Sequence, residues 1–443
     1  MKQLWKRLLL CAAIVSLVLV GVSWISDRMT GDTALQPAEA TTELIERGAY
    51  LARLGDCAAC HSIPGQPAFA GGLRMMTPIG AIYTSNITPD PKHGIGRYSL
   101  TDFDRALRFG VADGHTLYPA MPFTSYYNTR PEDVRALYAY FQHGVTAADV
   151  PNRENGIPFP LSMRWPLTYW RLSFAPHPRP FEARLGTDPV LARGEYFVDG
   201  LGHCGECHTS RGIAMQLRAT SSADGVDYLA GAEIDNFFAP SLRNDSRGSL
   251  ANWNEADLAE FLQHGTNAHG IAFGSMSDVI THSTQYLNPD DAHAAARYLK
   301  SVGPSSDKAL AFNYDDSAHE RVKRGDASQR GAQIYLDNCA ACHKPDGRGY
   351  EGVFPALAGN PVLQTSDPLS LVAIVMEGNT TPRTTSTPAQ FTMPSFAWRL
   401  SDADIADVVT YIRGSWGNAA SPVSTSQVRT HAARKRNKSE GKT

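Results

Sequence analysis

At 443 residues the chain is long enough for about three domains of ordinary size. Its formal net charge of −3 gives no reason to expect nucleic acid as a partner, and its seven cysteines do not form the pattern of a disulfide scaffold. Hydrophobic residues make up 42% of the composition, enough for small cores.

Residues 1–40 read as a targeting segment. Lys2, Lys6 and Arg7 form a basic flank, and Leu8 to Ile25 is an uncharged run. A cleavable signal has an apolar core of about 7–15 residues and a spanning helix needs about 20, so this run falls between the two. Ala38-Glu39-Ala40 has the small-x-small form of a cleavage site but sits far beyond the apolar core. Cleaved signal and retained anchor are both open. Either one puts everything after residue 30 on the periplasmic face of the inner membrane, because the basic flank stays cytoplasmic. Cys11, inside the run, reads as an inert small hydrophobe. Acylation at Leu-Leu-Leu-Cys11 is the alternative, but the cysteine comes too early in the apolar stretch.

The first Cys-x-x-Cys-His motif, Cys57-Ala-Ala-Cys60-His61, returns as Cys204-Gly-Glu-Cys207-His208 and Cys339-Ala-Ala-Cys342-His343. The three copies use six of the seven cysteines, which leaves little room for coincidence. This is the attachment pattern of covalent c-type haem. The two thiols add to the vinyl groups, and the adjacent imidazole reaches the iron as its proximal ligand. Three haem c groups are therefore expected, on Cys57 and Cys60, Cys204 and Cys207, and Cys339 and Cys342. Their proximal ligands are His61, His208 and His343.

Each motif sits early in a repeat with the same order of signals. A short amphipathic helix precedes it, through Arg47-Gly48, Arg193-Gly194 and Arg330-Gly331. A loop region and a middle helix follow, over 99–109, 254–264 and 367–377. A methionine-bearing loop comes next. A closing helix with an acidic first turn ends the repeat, over 130–143, 288–300 and 401–413. Gly48, Gly194 and Gly331 suggest close helix crossings, with Tyr140, Tyr298 and Tyr411 as natural partners. The expected domains cover 41–150, 190–302 and 327–418. The segment 151–189 is a linker rich in proline and aromatics that has enough apolar residues to pack, and 303–326 is a shorter charged linker. The tail 419–443 is expected to be disordered. Its cluster Arg434, Lys435, Arg436 and Lys438 is read as solvated, with anionic lipid as the alternative contact.

A thioether opposite the histidine closes the iron, raises its potential and favours electron transfer. Met121, in Pro119-Ala120-Met121-Pro122, and Met393, in Thr392-Met393-Pro394, lie before the closing helices, where proline stiffens the presenting loop. Met276, in Gly274-Ser275-Met276-Ser277, has the matching position without the proline, and His264, His269 and His282 lie close enough in sequence to compete. No dinucleotide loop, His-Glu-x-x-His or Gly-x-Ser-x-Gly is present, so the expected chemistry is one-electron transfer.

The repeats resemble the class I cytochrome c fold, which implies a mainly α protein of three tandem domains after an N-terminal signal or anchor. In the competing cytochrome c′ bundle the motif lies near the C-terminal end. A closer resemblance rests on Ser162-Met163-Arg164-Trp165-Pro166-Leu167, Phe174-Ala175-Pro176, and Phe273-Gly274-Ser275-Met276-Ser277-Asp278-Val279 through His282-Ser283-Thr284-Gln285-Tyr286. These stretches are similar to the cytochrome c subunits of membrane-bound alcohol and sugar or gluconate dehydrogenases, and the similarity runs from about residue 43 to 416. The resemblance implies a catalytic partner, either a quinoprotein with pyrroloquinoline quinone or a flavoprotein, that oxidises CH–OH. It also implies ubiquinone as the acceptor, and it makes this chain no enzyme on its own. The rivals are the cytochrome subunit of a molybdenum hydroxylase acting on an aldehyde or N-heterocycle, and a multihaem peroxidase with one five-coordinate iron.

Overall fold

The computed structural model describes residues 1–31, 35–184, 186, 188–244, 248, 250–303 and 312–440. The chain is mainly helical and forms two compact units, Met1–Glu182 with Gly200–His203, and Ala183–Asp199 with Cys204–Thr443. Its N-terminal helix α1 (Lys2–Met29) is long and apolar enough to cross a membrane.

In the first unit, α2 (Thr42–Leu54) begins where the Thr41 hydroxyl accepts from the Leu44 amide, and it buries Gly48, Leu51, Ala52 and Leu54. The haem motif follows as a one-turn helix, Cys57–His61. A tight antiparallel hairpin, β1 (Arg74–Thr77) with β2 (Gly80–Tyr83), comes next, Arg74 facing Tyr83 and Thr77 facing Gly80. α3 (Leu100–Phe109) starts on a reciprocal Ser99–Asp102 capping box and stops at the left-handed Gly110. α4 (Pro131–Ala139) has Pro at its start and Glu132 and Asp133 in its first turn.

α4 closes over α2 at Gly48. A Cβ there would run into the carbonyl oxygen of Ala136 and the Cβ of Tyr140. The neighbouring Arg47 reaches across to Asp133, which is fully buried. The second unit repeats this arrangement twice. α6 (Pro189–Tyr196) meets α9 (Pro289–Ser301) with Gly194 against the Ala294 carbonyl and Tyr298, and α10 (Arg330–Asn338) meets α12 (Asp402–Arg413) with Gly331 against the Asp407 carbonyl and Tyr411. Arg193 pairs with Asp291 at 2.6 Å, and Arg330 with Asp404 at 2.8 Å. Between these pairs lie α7 (Glu255–His264), α8 (Ser275–His282) and α11 (Leu369–Glu377). The core around α10 and α12 includes the fully buried Trp416, which donates to the Pro345 carbonyl at 3.1 Å and packs on Tyr335 and Tyr411.

The two connecting segments and the C-terminal tail carry helices. Within 151–189 a helix, α5 (Trp165–Phe174), packs against α1. Within 303–326 the described part holds a short helix, Ser317–Lys323, while 304–311 lie outside the described residues. The tail expected to be disordered carries the helix α13 (Thr425–Glu440). Its sequence shows no apolar periodicity, but Val428 and His431 are buried. His431 Nε2 meets Glu377 at 2.8 Å and Arg434 meets Glu233 at 2.5 Å, so tertiary contacts order what local propensity would not. The side chains of Lys435, Arg436 and Lys438 lie outside the described residues.

Replacing Gly194 with alanine forces α6 and α9 apart along their whole contact. The expected loss is about 3 kcal/mol or more, read as a lower melting temperature of the haem-loaded chain. An unchanged melting temperature would show that the crossing tolerates a wider separation.

Candidate haem sites

Each motif histidine ends a one-turn helix and turns its Nδ1 toward a backbone carbonyl of a later loop. His61 meets Ser85 O at 2.7 Å, His208 meets Pro240 O at 2.7 Å, and His343 meets Pro355 O at 3.0 Å. A carbonyl only accepts, so Nδ1 carries the proton and Nε2 keeps the lone pair that binds a metal. Burial holds all three imidazoles below their usual pKa, which favours the neutral, ligating form. The three acceptor carbonyls were not legible in the sequence, because they follow the histidine at three different distances along the chain.

No disulfide joins two of the described cysteines. Burial pushes the Cys57, Cys204 and Cys339 thiols up to about 12 and Cys60 to about 11, with Asp56 adding to the shift of the first pair. Among the described residues no group of three or more His, Cys, Asp or Glu is placed to hold a metal ion. Paired thiols beside a neutral, oriented imidazole fit a haem joined through thioethers.

The candidate distal methionines are all half-buried. Met393 lies in a short strand paired with Asn379 and packs on the same core as Cys339 and Ala340. Met121 follows a turn closed by its amide on Tyr118 O and leads into the one-turn helix Phe123–Tyr126. Met276 lies in the first turn of α8 rather than in a loop. Two of its competitors are engaged elsewhere. His264 Nδ1 bonds the Ser386 hydroxyl at 2.8 Å. His269 bonds Asp257 at 3.1 Å and stacks on Trp253 with centroids 5.5 Å apart. His282 ends α8 and is half-buried.

A buried acidic cluster beside the second motif carries no sequence signature. Asp199 accepts from the hydroxyls of Tyr228 and Tyr298 (the latter at 2.8 Å), and Arg184 pairs with both Asp199 and Glu195. Two buried carboxylates share one cation. Burial pushes Asp199 up to about 7, against the hydrogen bonds and Arg184, with Glu195 adding to the rise. The folded chain therefore holds a proton there that the unfolded chain loses near the ordinary value of 3.8. Stability from this group is greatest below that value and declines as pH rises to about 7. Relative to Asp199→Asn, the parent's melting temperature should fall across that window. Parallel profiles for the two chains would mean that Asp199 titrates normally.

A cytochrome c family model matches residues 328–416, which span the third motif, Met393 and α12. Over 398 residues the chain is 51% identical to the gluconate 2-dehydrogenase cytochrome c subunit of Pantoea cypripedii, covering 89% of this chain and 90% of that one. It is 47% identical over 424 residues to the cytochrome c subunit of the quinone alcohol dehydrogenase of Gluconobacter oxydans, covering 95% and 85%. It is 36% identical over 414 residues to the fructose dehydrogenase cytochrome subunit of Gluconobacter japonicus, covering 89% and 83%. Similarity of this extent takes in all three motifs, the segment between the first two and the helix crossings together, and the chain belongs to the family of cytochrome c subunits of gluconate and quinone alcohol dehydrogenases.

Proposed function

We propose that this chain is the tri-haem electron-transfer subunit of a periplasmic dehydrogenase complex, built as three tandem class I cytochrome c domains. It takes electrons from a catalytic partner that oxidises CH–OH of an alcohol, gluconate or sugar, and passes them to ubiquinone in the inner membrane. The partner carries pyrroloquinoline quinone or a flavin. The observation that carries this reading is the repeated site: three Cys-x-x-Cys-His turns, each with its histidine held through Nδ1 by a backbone carbonyl. The names of these three relatives, each a cytochrome subunit of a dehydrogenase, support the kind of partner.

Haem c, when bound, supplies reversible one-electron exchange at iron. The chain's own residues decide how it is held. Cys57 and Cys60, Cys204 and Cys207, and Cys339 and Cys342 provide the thioether sulfurs. His61, His208 and His343 would ligate the iron through Nε2, and Met121, Met276 and Met393 would supply sulfur ligands. The carbonyls of Ser85, Pro240 and Pro355 fix the imidazole rings and raise their basicity. The helix crossings give each motif a rigid floor, which keeps reorganisation on electron transfer small.

Substrate added to intact membranes should reduce the c-type haem completely, and the same substrate should leave the purified, partner-free chain oxidised. Equal reduction in both preparations would sink the relay reading. The cofactor that co-purifies in mild detergent, flavin or pyrroloquinoline quinone, identifies the class of partner. Met121→Ala and Met393→Ala should each open one iron to carbon monoxide and lower one midpoint potential. Variants unchanged in both properties would show that a different side chain occupies that position.

A further inference from the structure

The second and third motifs lie in one compact unit, and a single helix of the third repeat touches the supports of both. The support of the second is a hairpin, β3 (Ala232–Ile234) with β4 (Phe237–Ala239), in which Glu233 faces Phe238. Its open end grips His208 twice. The Gly231 amide, just before β3, donates to the His208 carbonyl at 2.8 Å, and the Pro240 carbonyl, just after β4, accepts from Nδ1 at 2.7 Å. The tip of the hairpin reaches the Met276 segment. A Cβ on Gly274 would lie 3.0 Å from the Phe237 ring, that ring sits 5.7 Å from the ring of Phe273, and Asp235 accepts from the Ser275 hydroxyl at 3.2 Å. One small β element therefore holds the histidine and borders the candidate methionine of the same site.

The hairpin is in turn held by Ser370, in the first turn of α11. The Ser370 hydroxyl accepts from the Phe238 amide at 2.8 Å and donates to the Phe238 carbonyl at 2.9 Å. Both backbone polar groups of one strand residue are met by one side chain, which is 1% exposed. Glu233, on the opposite strand, meets Arg434 of α13 at 2.5 Å, a second and more exposed tie from the third repeat. α11 itself is seated in its own core through Leu371, Val372 and Val375. Its far end holds the Met393 segment. The Val375 carbonyl accepts from the Phe396 amide at 3.0 Å, the Met376 carbonyl accepts from the Ser395 hydroxyl at 2.5 Å, and Asn379, just past the helix, pairs with Met393. The two sets of contacts stand at the two ends of a helix of nine residues, about 13 Å long.

We infer that Ser370, a residue of the third repeat, is a positioning residue for the second redox centre. It holds the hairpin that fixes the His208 ring, and α11 thereby joins the supports of the second and third centres. The clasp is directional, because one hydroxyl must meet an amide hydrogen and a carbonyl at once. The bond from Nδ1 to the Pro240 carbonyl orients the imidazole and raises its basicity as a ligand. A hairpin free to shift would weaken that bond and make the nitrogen a poorer donor to ferric iron. The potential of that centre would then rise.

This inference rests on the tri-haem reading proposed above. In the purified haem-loaded chain, Ser370→Ala should raise one midpoint potential and alter one set of low-spin ferric g values in electron paramagnetic resonance. Met121→Ala and Met393→Ala mark the first and third signals, so the displaced one should be the remaining, second signal. The third should stay in place, since α11 keeps its seat in the core. In hydrogen-exchange mass spectrometry, peptides covering β3 and β4 should exchange about tenfold faster, the size of one buried hydrogen bond lost, while those of α12 stay protected. A second signal left in place would overturn the positioning role. An equal displacement of the second and third signals would overturn it too, because it marks a hydroxyl that only supports the fold. Fewer than three c-type signals would instead fail the tri-haem reading, and unchanged exchange at the hairpin would still overturn the clasp.

Discussion

The constraint on which the rest depends is the close crossing of two helices at a glycine. At Gly48, Gly194 and Gly331 the backbone of one helix lies on a carbonyl of another, with the Cβ of a tyrosine beside the contact. No side chain larger than hydrogen fits, so the helices approach to a distance that fixes the turn bearing each Cys-x-x-Cys-His. Beside each glycine an arginine reaches an aspartate in the first turn of the closing helix. That aspartate also lies in the first turn of its own helix, where the positive end of the helix favours its charge, and Asp404 in addition completes a capping box with Ser401. These pairs differ in exposure, Asp133 and Asp291 being buried and Asp404 less so, and the more exposed pair contributes less.

What stands on this frame is chemically uniform at the histidines and varied around them. The three Nδ1 contacts are alike, which gives each imidazole the same tautomer. The charges nearby are not alike. Five residues after the crossing glycine stands Arg53 in the first unit and Asp199 in the second. Arg53 lies within electrostatic reach of Tyr140, whereas Asp199 is locked among Tyr228, Tyr298 and Arg184. Charge and burial near a haem are levers on its potential. A repeated scaffold that carries a cation at one such position and a buried, proton-holding carboxyl at the equivalent one gives its motifs unequal electrostatic surroundings.

The buried Asp27–Arg171 centre shows the same economy at a different place. A carboxylate with all its bonding capacity met, paired with a nearly buried guanidinium, is stable only while both partners are present. It ties the apolar N-terminal helix to the polar body of the first unit.

The sequence by itself determined the haem motifs, the helix caps and the crossing glycines, because each is a local pattern. Cys-x-x-Cys-His acts within one helical turn, Ser99 and Asp102 cap within three residues, and an Arg-Gly pair is visible wherever it falls. The dehydrogenase family was legible too, through longer stretches such as Phe273 to Tyr286. The tertiary structure alone decided the partners that lie far apart in the chain. Ser85, Pro240 and Pro355 stand at unrelated spacings from their histidines, Asp27 meets Arg171 across 144 positions, and Asp199 meets Tyr298 across 99. The helix α13 belongs with these, since His431 and Val428 gain their burial from helices formed earlier in the chain. A lone polar residue carries no mark of burial in sequence. Burial is a property of what folds over it, and only the folded chain brings that cover into place.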